Sequence, residues 1–187
     1  MTGLLRPAVF LDRDGTINAE VDYLCRVEDV ALIPGSAEAV ARLNAAGFPV
    51  IVVTNQSGIG RGRFSWEAYR AVMGRLAELL SAHDARIDAA YVAPHHPCAK
   101  GEYCHPDHPD RKPNPGMLQR AAADLGLDLT RSWMVGDKDI DLQAGRNAGC
   151  RSALVLTGYG AASDPALADF VATDLAGTVD HILRSMA

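Results

Sequence analysis

The chain is short of the features that would place it outside the ordinary globular proteins. It has 18 Lys or Arg residues against 23 Asp or Glu, a net charge of −5. No excess of basic charge supplies the positive face that a general nucleic-acid binder needs. No apolar run approaches the roughly 20 residues required to cross a bilayer, and the N-terminus lacks a charged-then-apolar signal pattern. Four cysteines, Cys25, Cys98, Cys104 and Cys150, are too scattered for a secreted disulfide framework and suit a reducing compartment. Internal repeats and low-complexity linkers are also missing. These absences lead us to expect a cytoplasmic monomer that binds neither membrane nor nucleic acid. What is present is apolar content, 48% of 187 residues. That length favours one domain over residues 1–187, with a core that needs no disulfide staples.

The chain is organised around Ala8-Val9-Phe10-Leu11-Asp12-Arg13-Asp14-Gly15-Thr16. A short apolar run, enough for one buried strand, ends in two carboxylates two positions apart. Strand side chains repeat every second residue, so Asp12 and Asp14 leave the sheet on the same side. Two aspartates this close repel, and a cation or a shared proton relieves them. A polar loop that happens to contain D-x-D is the alternative. Other apolar runs also stop at polar residues: Val50–Val53 at Thr54-Asn55-Gln56, and Trp133–Val135 at Gly136-Asp137-Lys138, with Asp141 beyond. Arg111-Lys112-Pro113 lies between them. In an open parallel sheet, ligands bind beyond the carboxyl ends of the strands. The acid pair, a hydroxyl, a lysine and a third acid would then converge on one spot.

Strands expected at 8–11, 49–53, 88–93, 133–135, 152–156 and 170–172 alternate with helices, which predicts a doubly wound parallel α/β sheet with helices on both faces. Ser36 reads as the N-cap of the first helix and Gly47 as its stop. Ser57 to Gly62 is a glycine-rich loop, Ser65 opens a long helix to about Ala82, and Pro115 suits the first turn of a helix ending near Leu125. Residues 17–30 have no clear period and read as a flap over the site. Residues 94–110, rich in His, Cys and Pro, read as an irregular excursion.

FLDRDGT, TNQSGIGRG, RKPNPGM and VGDKDID, in this order, resemble the haloacid-dehalogenase-type phosphatases. More narrowly they are similar to the phosphatases of heptose 1,7-bisphosphate, with histidinol-phosphate phosphatases as near relatives. The resemblance spans about Ala8 to Leu156 and implies a Rossmann-like fold with a minimal cap. It implies that Asp12 attacks phosphorus to form an aspartyl-phosphate, and that Asp14 protonates the leaving oxygen and then activates water. Thr54 and Lys112 would stabilise the transferring phosphoryl. It further implies Mg²⁺ held by the Asp12 and Asp137 carboxylates and the Asp14 carbonyl, with Asp141 orienting that shell. Magnesium also suits such a site chemically, as a hard ion that takes oxygen ligands. Substrate contacts are implied for Glu20, Tyr23, Asn55, Gln56, Ser57, Arg111 and Lys138. The planar fork of Arg111 suits a second phosphate, so the expected partner is a small bisphosphorylated sugar cleaved at its primary 7-phosphate.

The chain departs from these relatives in one place. Many carry a zinc loop written C-P-H-H-P followed by C-x-C-R-K-P. Here Ala93, His108 and Asp110 replace the cysteines, and only His95 stands in place. Cys98, Cys104, His96, His105 and His108 offer donors for a displaced Zn²⁺ site; equally, the prolines could shape the loop without metal. Alternatives to the heptose substrate are histidinol phosphate and a broad range of sugar phosphates. Outside enzymology stand a receiver-type phosphoacceptor domain and an inactive sugar-phosphate binder.

Overall fold

The computed structural model describes residues 5–186. Six strands form one sheet: Val9–Leu11 (β1), Val50–Asn55 (β2), Ala89–Ala93 (β3), Trp133–Gly136 (β4), Arg151–Val155 (β5) and Phe170–Ala172 (β6). All pairings are parallel, in the order β3-β2-β1-β4-β5-β6. The helices are Ser36–Ala45 (α1), Ser57–Gly60 (α2), Trp66–Ser81 (α3), Gly116–Leu125 (α4), Asp139–Ala148 (α5) and Leu175–Met186 (α6). This is the expected doubly wound sheet.

Period-two alternation sorts the strand residues onto two cores. Val9, Leu11, Val50, Val52, Trp133 and Val135 pack with Leu43 of α1, Leu76 of α3 and Val179 of α6. Phe10, Ile51, Val53 and Met134 face the other way, onto Met117 and Leu118 of α4 and Ala144 of α5. Burial on both faces is why these strands read as continuous apolar runs. Each large side chain so buried contributes about 1.5–3 kcal/mol.

The chain runs outward from β1 through β2 to β3, then returns to lay β4 on the other side of β1. That reversal opens a crevice beyond the carboxyl ends of β1 and β4. Asp12 follows β1 directly and Asp137 follows β4 directly, so the topology brings together two acids more than a hundred residues apart.

The local structure departs from expectation at three points. Gly35, at φ 80°, is the N-cap of α1, and Ser36 is the first helical residue. The Ser36 hydroxyl donates to the Ile17 carbonyl at 2.8 Å instead of capping, because buried flap backbone needs a partner. Pro115 is the N-cap of α4 and lies just outside its first turn. The glycine-rich stretch is the short helical turn α2, and its glycines permit close packing. A Cβ at Gly58 would lie 2.2 Å from the Phe64 ring, and one at Gly60 would lie 2.3 Å from the Pro94 carbonyl. By contrast, Ser65 caps α3 as expected, accepting from the Ala68 amide at 3.2 Å.

Candidate active site

Asp12 continues β1 and keeps its amide bonded to the Val135 carbonyl at 2.9 Å, which fixes the carboxylate at the crevice floor. Lys112 Nζ donates to Asp12 Oδ1 at 2.8 Å and to the Val53 carbonyl at 2.8 Å, and lies 2.6 Å from Asp141 Oδ1. The lysine is 2% exposed. Burial opposes its charge, yet Asp12 and Asp141 outweigh that cost and hold its pKa above the ordinary value. Lys112 is therefore a fixed cation against the Asp12 carboxylate.

Asn55 explains how the lysine is delivered. Its side chain accepts from the Lys112 amide at 3.0 Å and donates to the Lys112 carbonyl at 3.0 Å. This reciprocal pair straps the Arg111–Lys112 loop to the end of β2, leaving Asn55 as much a scaffold as a wall.

Asp12, Asp137 and Asp141 place carboxylate oxygens within 4.8 Å of one another, all buried. Asp137 Oδ2 accepts from the Tyr159 amide at 2.8 Å, while its Oδ1 is buried without a partner. Burial and then the Asp12 charge push Asp137 up to about 7. Burial raises Asp141 to about 6 against the pull of Lys112. Three acids crowded this closely, one with an orphaned oxygen, fit a hard divalent cation. The surrounding backbone makes room for them. Gly15 has φ 82°, and a Cβ there would lie 2.2 Å from Asp137 Oδ2; at Gly158 the distance would be 2.3 Å.

The Asp14 carboxylate is outside this trio. Arg13 grips it through Nε at 3.0 Å and Nη2 at 2.7 Å, Asn18 donates at 2.9 Å and Gln56 at 3.0 Å. Burial works to raise Asp14, but the Arg13 charge and these donors prevail and hold it below the ordinary carboxylate range. Thr54 Oγ1 accepts from Gln56 Nε2 at 2.8 Å.

Above this floor lies a cavity of about 220 Å³ lined by Asp12, Asp14, Thr54, Asn55, Gln56, Ser57, Lys112, Lys138 and Asp141. The flap supplies Glu20 and Tyr23 to its wall and is anchored by Ile17 and Leu24 in the core. Lys138 Nζ donates to Glu20 Oε2 at 2.7 Å and sits 4.6 Å from the Tyr159 ring centroid; its pKa is raised, with the Glu20 bond the main support against burial. Arg111 is outside the lining, with Nη1 donating to the His95 carbonyl at 2.9 Å.

Residues 94–110 pack against α2 and α3, through the Lys100 amide on the Gly60 carbonyl and Trp66 on the Tyr103 hydroxyl. Several of their side-chain donor atoms bond within the loop. The Nδ1 atoms of His96, His105 and His108 accept from the Cys98, Asp107 and Asp110 amides, and Cys104 Sγ donates to the Pro97 carbonyl. The His95 and His108 rings stack 3.3 Å apart. Among the described residues, the one cluster of three metal-binding side chains with ligand atoms within 4.8 Å of one another is Asp12, Asp137 and Asp141.

Two contributors escaped the sequence reading. Arg13 has no assigned role in the sequence reading, yet it is 1% exposed. The loop after β5 closes the floor through the Tyr159 amide and through Thr157, whose hydroxyl donates to the Gly15 carbonyl at 2.6 Å. The TGYG run that follows an apolar strand was the available signal.

A HAD-hydrolase-like family model matches residues 110–178. A D-glycero-beta-D-manno-heptose-1,7-bisphosphate 7-phosphatase of Mesorhizobium japonicum is 49% identical over 155 residues, 83% of this chain and 71% of that protein. A D-glycero-D-manno-heptose-1,7-bisphosphate 7-phosphatase of Thermosynechococcus vestitus is 46% identical over 97% of this chain and 98% of its own length. Among solved structures, the D,D-heptose 1,7-bisphosphate phosphatase of B. bronchiseptica, complexed with magnesium and phosphate, superposes with a TM-score of 0.86. It shows 33% identity, over 96% of this chain and 99% of that one. Over most of its length the chain is thus similar to enzymes, and it belongs to the haloacid-dehalogenase-like phosphatases, among the heptose-bisphosphate phosphatases.

Proposed function

We propose that the chain removes the 7-phosphate from D-glycero-D-manno-heptose 1,7-bisphosphate in a magnesium-dependent reaction that passes through an aspartyl-phosphate on Asp12. One observation carries this reading: a buried carboxylate, paired with a buried lysine, stands beside an acid cluster that holds an unpartnered oxygen. Such an arrangement is costly to fold and useful for handling an incoming phosphate dianion.

Asp12 Oδ2 is the free oxygen of the nucleophile, since Oδ1 is taken by Lys112. Lys112 spreads positive charge along the attacking carboxylate and the phosphoryl group, and the Thr54 hydroxyl reaches a phosphoryl oxygen. Asp137, with Asp12 and the Asp14 carbonyl, would hold Mg²⁺, which supplies charge neutralisation of the phosphoryl oxygens when bound. Asp141 fastens this group to α5, accepting from the Lys138 amide at 3.0 Å. Asp14 stands ionised in its clamp, the form needed to take a proton from the water that cleaves the intermediate. Its donation to the sugar oxygen in the first displacement requires that the clamp yield as the anionic substrate enters.

The substrate assignment rests on the relatives and on the wall formed by Glu20, Tyr23, Ser57 and Lys138, which offers both charge signs to a hydroxylated sugar. Arg111 reaches a distal phosphate if it leaves the His95 carbonyl. A panel assay with magnesium tests this. Heptose bisphosphate should turn over with far higher kcat/KM than histidinol phosphate, and a clear preference for histidinol phosphate overturns the assignment.

A further inference from the structure

The resemblance assigns Gln56 to the substrate, but its hydrogen bonds point elsewhere. Gln56 is 6% exposed, and its Nε2 lies 3.0 Å from Asp14 Oδ2 and 2.8 Å from Thr54 Oγ1. An amide viewed by shape alone has two equivalent orientations, and here its neighbours decide between them. Both Asp14 oxygens already accept from the Arg13 fork, so the atom of Gln56 facing them must be a donor. The same nitrogen faces Thr54, and its second proton goes to Oγ1. Thr54 therefore accepts from Gln56, and its own proton must go to something else. Among the described residues that proton has no acceptor, although Thr54 is 1% exposed and lines the cavity.

We propose that Gln56 is a positioning residue that fixes the polarity of the Thr54 hydroxyl, so that its proton points at the phosphoryl group being transferred. Orientation passes in sequence from Arg13 through Asp14 and Gln56 to Thr54. A glutamine amide does this where a carboxylate cannot, because a second acceptor beside Thr54 would capture the hydroxyl proton. The hydroxyl is thus set before substrate arrives, and no reorganisation is needed during the reaction. This deepens the phosphatase reading and is independent of which ester is cleaved.

A double-mutant cycle tests it, with kcat and KM measured in magnesium on p-nitrophenyl phosphate and on heptose bisphosphate. Gln56→Leu should lower kcat roughly 10- to 100-fold with KM changed less than about threefold, as expected when a preorganised donor is lost. In a Thr54→Val background the same substitution should cost less than about threefold, because the hydroxyl it orients is gone. Gln56→Glu, of the same shape, should be at least as damaging as Gln56→Leu while melting cooperatively. Equal losses in both backgrounds, parental kcat in Gln56→Glu, or loss of the cooperative melt in both Gln56 variants would each overturn the assignment. Parental activity on the aryl phosphate without activity on heptose bisphosphate would overturn the substrate reading and leave the cycle to judge Gln56.

Discussion

Removing divalent cations should make this protein progressively less stable as pH rises through neutrality, the reverse of ordinary acid unfolding. Asp137 is fully buried, and burial with the Asp12 charge raises its pKa from 3.8 to about 7. The folded state then holds a proton that the unfolded chain releases near pH 4. Raising pH between these values favours unfolding, so this stability is present below pH 4 and is lost as pH passes 7. At about 1.4 kcal/mol per pH unit the full effect is about 4 kcal/mol, of which about 3 falls between pH 5 and 8. Asp141, raised to about 6, and Glu20, also raised by burial, act in the same direction. Asp14 is depressed, so its contribution is complete above pH 4 and flat across the window. Lys112 is raised, so its contribution is intact below pH 10. The lowered values of His95 and His96 run the other way but belong to partly exposed rings that solvent screens. Urea unfolding of chelated protein at pH 5 and pH 8 measures the loss. Magnesium at a hundred times its Kd should restore about 2.7 kcal/mol at pH 8. Asp137→Asn should flatten the profile and abolish the magnesium response. A chelated parent whose stability is level or rising from pH 5 to 8 refutes the reasoning.

Lys112→Ala should leave Asp12 and Asp141 buried without their cation, costing about 3–5 kcal/mol; kcat should fall by at least about 10²-fold, as read by urea unfolding and steady-state assay. Gly15→Ala should cut magnesium affinity sharply in calorimetric titration, since its Cβ would lie 2.2 Å from Asp137 Oδ2 at a positive φ.

The sheet was legible because nearly every strand is an apolar run bounded by polar residues, and β1, β2 and β4 end at the side chains that matter. Asp12, Asp14, Thr54 and Asp137 could be placed from those endings and from the rule that parallel strands share one active edge. The partners could not. Arg13 sits between two acids, and only the fold shows it turned inward and buried over the Tyr69 ring. Asn55 grips a backbone 57 residues away, and Thr157 one 142 residues away. Neither bond leaves a periodic trace. Ser36 has the right residue type for a cap, but burial made its hydroxyl a donor to the flap. The His/Cys excursion carries ligand-type residues, yet its short hydrogen bonds turn the rings onto neighbouring amides.

The central claim is that Asp12 carries the phosphoryl group between the two displacements. Rapid acid quench of a single turnover with phosphorus-labelled substrate, followed by peptide mapping, tests it most directly. The account predicts transient label on the peptide containing Asp12, and none in Asp12→Asn. Full turnover with no labelled peptide, or label on another residue, would contradict it.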